Sequence, residues 1–145
     1  MAETSNTRPV ARPGENMRLI EALQYRLPLA ALVSILHRAS GMVMFFLLPF
    51  IVWMFDASVT SEVSFDGFTS AFVAGIGFVP GFVVKLVALG LIWAYLHHAI
   101  AGVRHLWMDA THSVTKQQGH SSAVATFAIS IVLTIVLGAK LFGLF

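Results

Sequence analysis

The chain contains no cysteine. This absence excludes a disulfide framework, and it excludes a thiolate metal site or an iron–sulfur cluster held by this chain. Charge is also scarce, because only 11% of the 145 residues are Asp, Glu, Lys or Arg, whereas 57% are hydrophobic. Such a composition is not that of a soluble globular domain, and the chain is therefore a candidate membrane protein.

Two further features are missing. Basic and aromatic residues do not alternate as they do in a nucleic-acid groove, so no nucleic-acid partner is expected. The polar start, MAETSNTRPVARPGEN, has no apolar core or cleavage site of a signal peptide. We expect residues 1–29 to be a cytoplasmic N-terminal segment. Its second half, NMRLIEALQYRLPL, is mildly amphipathic, so either a surface helix or an ordinary linker fits it.

Three stretches are apolar over about 20 residues, the length that an α-helix needs to cross the hydrocarbon core. They cover about residues 30–54, 82–106 and 122–145. The sequence therefore predicts an all-α integral membrane protein with three transmembrane helices in one domain, residues 30–145. Pro80, Gly81 and Lys85 are expected to mark the start of the second span, with residues 71–79 at the membrane interface.

The distribution of charge predicts the orientation, because Lys and Arg in short loops are retained on the cytoplasmic side. Several arginines precede the first span, namely Arg8, Arg12, Arg18 and Arg26. The first loop instead carries Asp56, Glu62 and Asp66, with no Lys or Arg before Lys85. We therefore expect a cytoplasmic N-terminus and a C-terminus on the opposite, periplasmic side.

The first span contains a group of polar residues in the stretch SILHRASG. Ser34, His37 and Arg38 have the i, i+3, i+4 spacing that places side chains on one helix face, and Gly41 continues that face. Ionisable groups inside a span are expensive and usually functional. The alternative is that Arg38 only extends its guanidinium towards the lipid head groups.

The second span places a histidine in a stripe of small residues. Gly90, Ala94, His98 and Gly102 recur at i, i+4 spacing. Small neighbours would let a porphyrin ring approach the helix, and neutral imidazole is a common axial ligand of haem iron. Close helix packing would explain the small residues equally well. His97 points about 100° away around the helix, so the stripe favours His98 as the ligand.

A second polar group follows at the end of this span. His105 lies two turns after His98, at the predicted depth of Ser34, with Arg104 beside it. This group could hold acidic groups such as haem propionates. Asp109 either pairs with Arg104 or His105, or is a solvated loop carboxylate.

The stretches SILHRASG at 34–41 and HAIAGVRHLWMD at 98–109 resemble the hallmarks of a known family. This family is the cytochrome b membrane-anchor subunit of succinate dehydrogenase, respiratory complex II. Weaker similarity covers Arg8–Pro9 and the RLP at 26–28, while the third span matches only in length and apolar character.

The resemblance implies specific site residues. It makes His98 the axial ligand of the iron of one haem b, which a second anchor subunit shares by supplying the other ligand. It places His37, Arg38 and His105 near the haem propionates. It also implies that Ser34 and Arg38 line the site of ubiquinone, the substrate.

The resemblance further implies a membrane-anchor and electron-transfer subunit of succinate:ubiquinone oxidoreductase, which is not catalytic alone. Its expected partners are an iron–sulfur subunit, a flavoprotein subunit, the second anchor subunit and the lipid bilayer. A bacterial inner membrane is a better expectation than a mitochondrial one. The alternatives are the anchor of a quinol:fumarate reductase, or a membrane interaction protein without redox function.

Overall fold

The computed structural model describes residues 26–112 and 115–145, and within these ranges it contains α-helices and no strand. The helices are α1 (Leu29–Val59), α2 (Glu62–Val73), α3 (Gly81–Thr111) and α4 (Lys116–Leu141). Three of them, α1, α3 and α4, are long and apolar enough to cross a membrane. The predicted all-α class with three spanning helices is confirmed, whereas the amphipathic stretch up to residue 25 lies outside the described residues.

Helices α1 and α3 extend beyond the predicted spans at both ends, whereas α4 both begins and ends earlier than predicted, at Lys116 and Leu141. Each of α1 and α3 has 31 residues. At 1.5 Å per residue these helices are about 46 Å long, compared with about 30 Å for the hydrocarbon core. Hydropathy marks only the part of a helix that lies in lipid. The hydrogen-bonded backbone continues through polar residues such as Asp56 and Asp109 at the helix ends.

Local sequence explains where the long helices begin. Pro28 and Pro80 are the N-cap residues of α1 and α3, each with φ of −64°. Proline suits a helix start because its ring fixes φ and because the amide hydrogen that it lacks would have no partner there. Thr115 starts α4 with a capping box, in which its hydroxyl accepts from the Gln118 amide and the Gln118 side chain accepts from the Thr115 amide.

The short helix α2 was not predicted. Ser61 caps it by accepting a hydrogen bond from the Ser64 amide, and the Ser64 hydroxyl accepts from the Ser61 amide. This capping box has serine where the usual signature has Glu or Gln, which makes it hard to recognise in sequence. Residues 71–79, expected at the interface, form the end of α2 and a tight turn in which Gly75 has φ of +102°.

The three long helices pack around a small core. α3 contacts both α1 and α4, and α1 also contacts α4. Val33, Ala101 and Ala123, one from each long helix, are fully buried. Small residues allow helix backbones to approach closely where lipid provides no hydrophobic driving force. This core lies where α1 begins, α3 ends and α4 begins, which is also the end that carries the predicted site.

Towards the other end the bundle opens. A cavity of about 640 Å³ lies between α1, α2 and α3, with Met44, Phe72 and Leu91 in its apolar lining. Many large apolar side chains on the outer surface are exposed, among them Phe45 at 71% and Phe46 at 72%. Exposed phenylalanines on a long apolar helix are typical of a surface that contacts lipid or another membrane subunit.

Candidate functional site

Three imidazoles from two helices form one cluster in the narrow end of the bundle. The rings of His37 on α1 and His98 on α3 are stacked, with centroids 4.2 Å apart and an interplanar angle of 17°. The ring of His105, two turns after His98 on α3, lies 5.2 Å from that of His37. The structure therefore brings together the three histidines that the sequence singled out.

A hydrogen bond between helices orients the His98 ring. Its Nδ1 lies 2.9 Å from the backbone carbonyl oxygen of His37. A carbonyl can only accept, so Nδ1 carries a proton, and in the neutral ring the lone pair is then on Nε2. No hydrogen bond among the described residues uses Nε2 of His98. An imidazole that binds a metal ion usually has its other nitrogen held by the protein in this way.

Gly41 allows this close approach of α1 and α3. A Cβ on Gly41 would lie 2.8 Å from Cε1 of His98, closer than real side-chain contacts allow. A Cβ on Gly102 would lie 3.5 Å from Nε2 of His37, whereas one on Gly90 would meet nothing within 4 Å. A side chain at Gly102 would therefore make an ordinary contact with His37, whereas Gly90 faces open space.

Ser34 and Arg38 lie one turn apart on α1. Ser34 is half-buried and Arg38 is exposed. Neither side chain makes a hydrogen bond or an ion pair with any residue in 26–112 or 115–145. A serine hydroxyl and a guanidinium one helical turn apart can both donate hydrogen bonds to the oxygens of one ligand.

The Arg104 side chain connects α3 to α4. It is buried, its Nε donates to the Ser122 hydroxyl at 2.9 Å, and its Nη2 donates to the Gly119 carbonyl at 3.2 Å. These donors join α3 to α4. Asp109 is exposed and forms no ion pair within the described ranges, as expected of a solvated carboxylate.

His97 faces α4, as its rotation from His98 predicts. It is fully buried, and its ring stacks on Trp93 at 5.3 Å and lies 5.5 Å from that of Phe127. The backbone of Val33 on α1 lies next to the ring, but neither ring nitrogen makes a hydrogen bond of standard geometry with a described residue. His97 thus belongs to the core between helices and not to the histidine cluster.

Comparisons with known proteins identify the fold family. Residues 15–137 match the family model described as succinate dehydrogenase/fumarate reductase transmembrane subunit. The chain belongs to this family. It is 35% identical to a succinate dehydrogenase cytochrome b556 subunit of Paracoccus denitrificans over 112 residues, which are 77% of this chain and 81% of the relative. A protein of the same name from Coxiella burnetii is 28% identical over 119 residues, 82% of this chain and 90% of the relative.

The resemblance to the cytochrome b anchor subunit of complex II is thereby confirmed. This transmembrane subunit is part of an oxidoreductase complex and is not catalytic alone. The matched range includes α1 and α3, with all three clustered histidines. The cytochrome b naming of the relatives implies haem b, and the His98 imidazole has the donor chemistry that haem iron requires.

Ser40 was not predicted as a site residue, although it lies inside the stretch SILHRASG. Its side chain is 3% exposed, its hydroxyl donates to the His37 carbonyl at 2.9 Å, and its Oγ lies 3.4 Å from Nδ1 of His98. The available signal was its position three residues after His37. A serine there can bond back to the carbonyl of residue 37, but the partner on α3 could not be seen in sequence.

Proposed function

We propose that this anchor subunit binds haem b through Nε2 of His98 and supplies Ser34 and Arg38 to a ubiquinone-reduction site of a succinate:ubiquinone oxidoreductase. A second anchor subunit supplies the other haem ligand. An iron–sulfur subunit delivers electrons that a flavoprotein subunit takes from succinate. The observation that carries the haem assignment is the hydrogen bond from Nδ1 of His98 to the His37 carbonyl.

The succinate direction rests on the relatives. The family description covers both succinate dehydrogenase and fumarate reductase. The relatives from Paracoccus denitrificans, Coxiella burnetii and Rickettsia felis are all named as subunits of succinate dehydrogenase, and all are bacterial. We therefore favour a succinate dehydrogenase in a bacterial inner membrane over a quinol:fumarate reductase. Family membership also argues against an interaction protein without redox function.

The proposed chemistry at Ser34 and Arg38 is hydrogen bonding and charge stabilisation. Ubiquinone takes up two electrons and two protons to become ubiquinol. The Ser34 hydroxyl donates to one quinone oxygen, and the Arg38 guanidinium stabilises the negative charge that develops there as electrons arrive. Both groups lack protein partners within the described residues, so their donors are available. The protons come from water on the cytoplasmic side, because the hydrocarbon core holds none.

Haem b, when bound, supplies a group that accepts and releases one electron reversibly. The chain's own part is to hold His98 with its lone pair on Nε2 and to keep the ring between Gly41 and His37. His37 and His105, together with Arg38, are the nearby groups proposed for the propionates. Imidazole N–H and guanidinium groups suit carboxylates because they donate hydrogen bonds to an ionised acceptor.

The orientation follows from charge. Arg26 and Lys116 lie at the end of the bundle that carries the histidine cluster, and Asp56, Glu62 and Asp66 lie near the other end. Under the positive-inside rule the cluster end is cytoplasmic. This orientation places Ser34 and Arg38 on the side where soluble catalytic subunits can reach the membrane.

The test is a reduced-minus-oxidised absorption spectrum of the complex, expressed with its partner subunits, for wild type, His98→Ala and His120→Ala. His120 is an exposed histidine on α4 and serves as the control. We expect a b-type signal in wild type and in His120→Ala, and its loss or shift in His98→Ala. An unchanged haem in His98→Ala would rule out this ligand, and no haem in wild type would contradict the haem assignment altogether.

A further inference from the structure

We propose that Ser40 is a positioning residue that raises the reduction potential of haem b by competing with His98 for the His37 carbonyl. The inference rests on the proposed function, because it takes His98 as the haem ligand. Ser40 is almost completely buried at 3% exposure. Its hydroxyl donates to the His37 carbonyl at 2.9 Å, and its Oγ lies 3.4 Å from Nδ1 of His98.

One carbonyl oxygen serves several donors. The carbonyl of His37 lies inside α1 and accepts the helical hydrogen bond from the amide of Gly41. The Ser40 hydroxyl and Nδ1–H of His98 each approach the same oxygen to 2.9 Å. A carbonyl oxygen has two lone pairs, so these donors share acceptor capacity. The strength of the hydrogen bond from His98 therefore depends on whether the Ser40 hydroxyl is present.

The direct contact between Ser40 and His98 is the weaker effect. The hydroxyl proton of Ser40 points to the His37 carbonyl, so towards Nδ1–H its oxygen can only accept. At 3.4 Å this contact is at the limit of a hydrogen bond, whereas the two bonds to the carbonyl are of ordinary length. Removing the hydroxyl should therefore strengthen the hydrogen bond from His98 to the carbonyl. The loss of the long contact between Oγ of Ser40 and Nδ1 of His98 is the smaller effect.

The predicted consequence concerns the ligand's basicity. A stronger hydrogen bond from Nδ1–H places more electron density on the imidazole and on Nε2. A more electron-rich axial ligand favours the oxidised iron and lowers the reduction potential. Ser40→Ala should accordingly lower the potential, and Ser40→Thr, which retains a hydroxyl, should leave it near the wild-type value.

The experiment is a potentiometric titration of haem b in the purified complex. Its variants are Ser40→Ala, Ser40→Cys, Ser40→Thr and the control Ser130→Ala. Ser130 is also fully buried and also donates to the carbonyl three residues earlier, that of Phe127, but it makes no hydrogen bond to an imidazole. We expect a threefold lower equilibrium constant for haem reduction in Ser40→Ala. This corresponds to about 28 mV at 59 mV per tenfold change for one electron.

Each outcome decides the proposal. A lowered potential in Ser40→Ala, with Ser40→Thr and Ser130→Ala unchanged, supports it. A potential that is unchanged or raised in Ser40→Ala overturns it, as does an equal shift in Ser130→Ala. If Ser40→Ala fails to assemble, Ser40→Cys decides in the same way, because a thiol keeps the volume and is a weak donor. Failure of the proposed function is separate, since it appears as missing haem in wild type or intact haem in His98→Ala.

Discussion

Nδ1 of His98 donates a hydrogen bond to the backbone carbonyl of His37, 61 positions earlier in the chain. Because the acceptor is backbone, the interaction depends on how closely α1 and α3 approach and not on the identity of the side chain at position 37. The proposed haem ligation by His98 therefore depends on the packing of two transmembrane helices.

Gly41→Ala should disturb this packing directly at His98, the proposed haem ligand. The added methyl group would lie 2.8 Å from Cε1 of His98, so either the ring or α1 must move. We expect a clear loss of haem b from the purified complex, measured as haem absorbance per mole of protein. Gly90→Ala is the matched control, because a methyl group there meets nothing within 4 Å. Full haem content in Gly41→Ala would show that the contact is not critical.

Ser122→Ala should weaken the connection between α3 and α4. It leaves the buried Nε of Arg104 without its acceptor at 2.9 Å. An unsatisfied buried donor costs about 1–3 kcal/mol, and more when it is charged. We expect a lower thermal denaturation temperature of the complex in detergent. The effect should disappear when Ser122→Ala is made in an Arg104→Met background, since no charged donor remains.

The controls for this prediction are specific. Ser130→Ala removes a buried hydroxyl that bonds only to the carbonyl of residue 127 in its own helix, so its effect should be small. A loss of stability in Ser122→Ala that persists without Arg104 would mean that the pair does not act as described. The haem spectrum of the folded fraction should be unchanged in all these variants.

Arg38→Gln should slow quinone reduction. Loss of one preorganised donor at a developing negative charge typically costs about 10²–10³ in rate. We expect a fall of this order in succinate:ubiquinone reductase turnover, while electron transfer from succinate to a water-soluble acceptor stays at the wild-type rate. Arg26→Gln changes another exposed arginine at the same end of α1 and is the control. Equal quinone reduction in Arg38→Gln and wild type would remove Arg38 from the site.

The predicted orientation can be tested with single cysteines, because the chain has none of its own. In right-side-out spheroplasts, Asp66→Cys and Leu144→Cys should react with a membrane-impermeant maleimide. Ser5→Cys should react only after the membrane is opened, since the positive-inside rule places the N-terminus in the cytoplasm. The reverse pattern would place Ser34 and Arg38 on the periplasmic side and would contradict the proposed route of electrons.

Much of the site could be predicted because helical periodicity is a local property. The spacing of Ser34, His37 and Arg38 defines a face of α1 without any knowledge of α3. The same reasoning separates His97 from His98, and the structure places His98 against α1 and His97 against α4. The haem, quinone and partner assignments came from resemblance to a family, which the comparisons confirm at the level of the family.

Other features could not be predicted, because they depend on how helices rotate and approach. Sequence places Arg104 beside His105, yet a turn of about 100° between neighbours directs its guanidinium to α4. The role of Ser40 likewise becomes visible only when His98 is brought to the His37 carbonyl. α2 was missed since its serine capping box is a weak signal and its hydrophobic pattern is short.

By itself, the sequence determined the membrane class, the three spans and the few polar residues within them. Composition and hydropathy are sufficient for this, because lipid forces the backbone of each span to satisfy its own hydrogen bonds as a helix. Only the tertiary structure decided which nitrogen of His98 donates to the His37 carbonyl and which glycine leaves room for the His98 ring. These depend on distances between α1 and α3, and contacts between helices are set by packing of the whole bundle rather than by any one stretch of sequence.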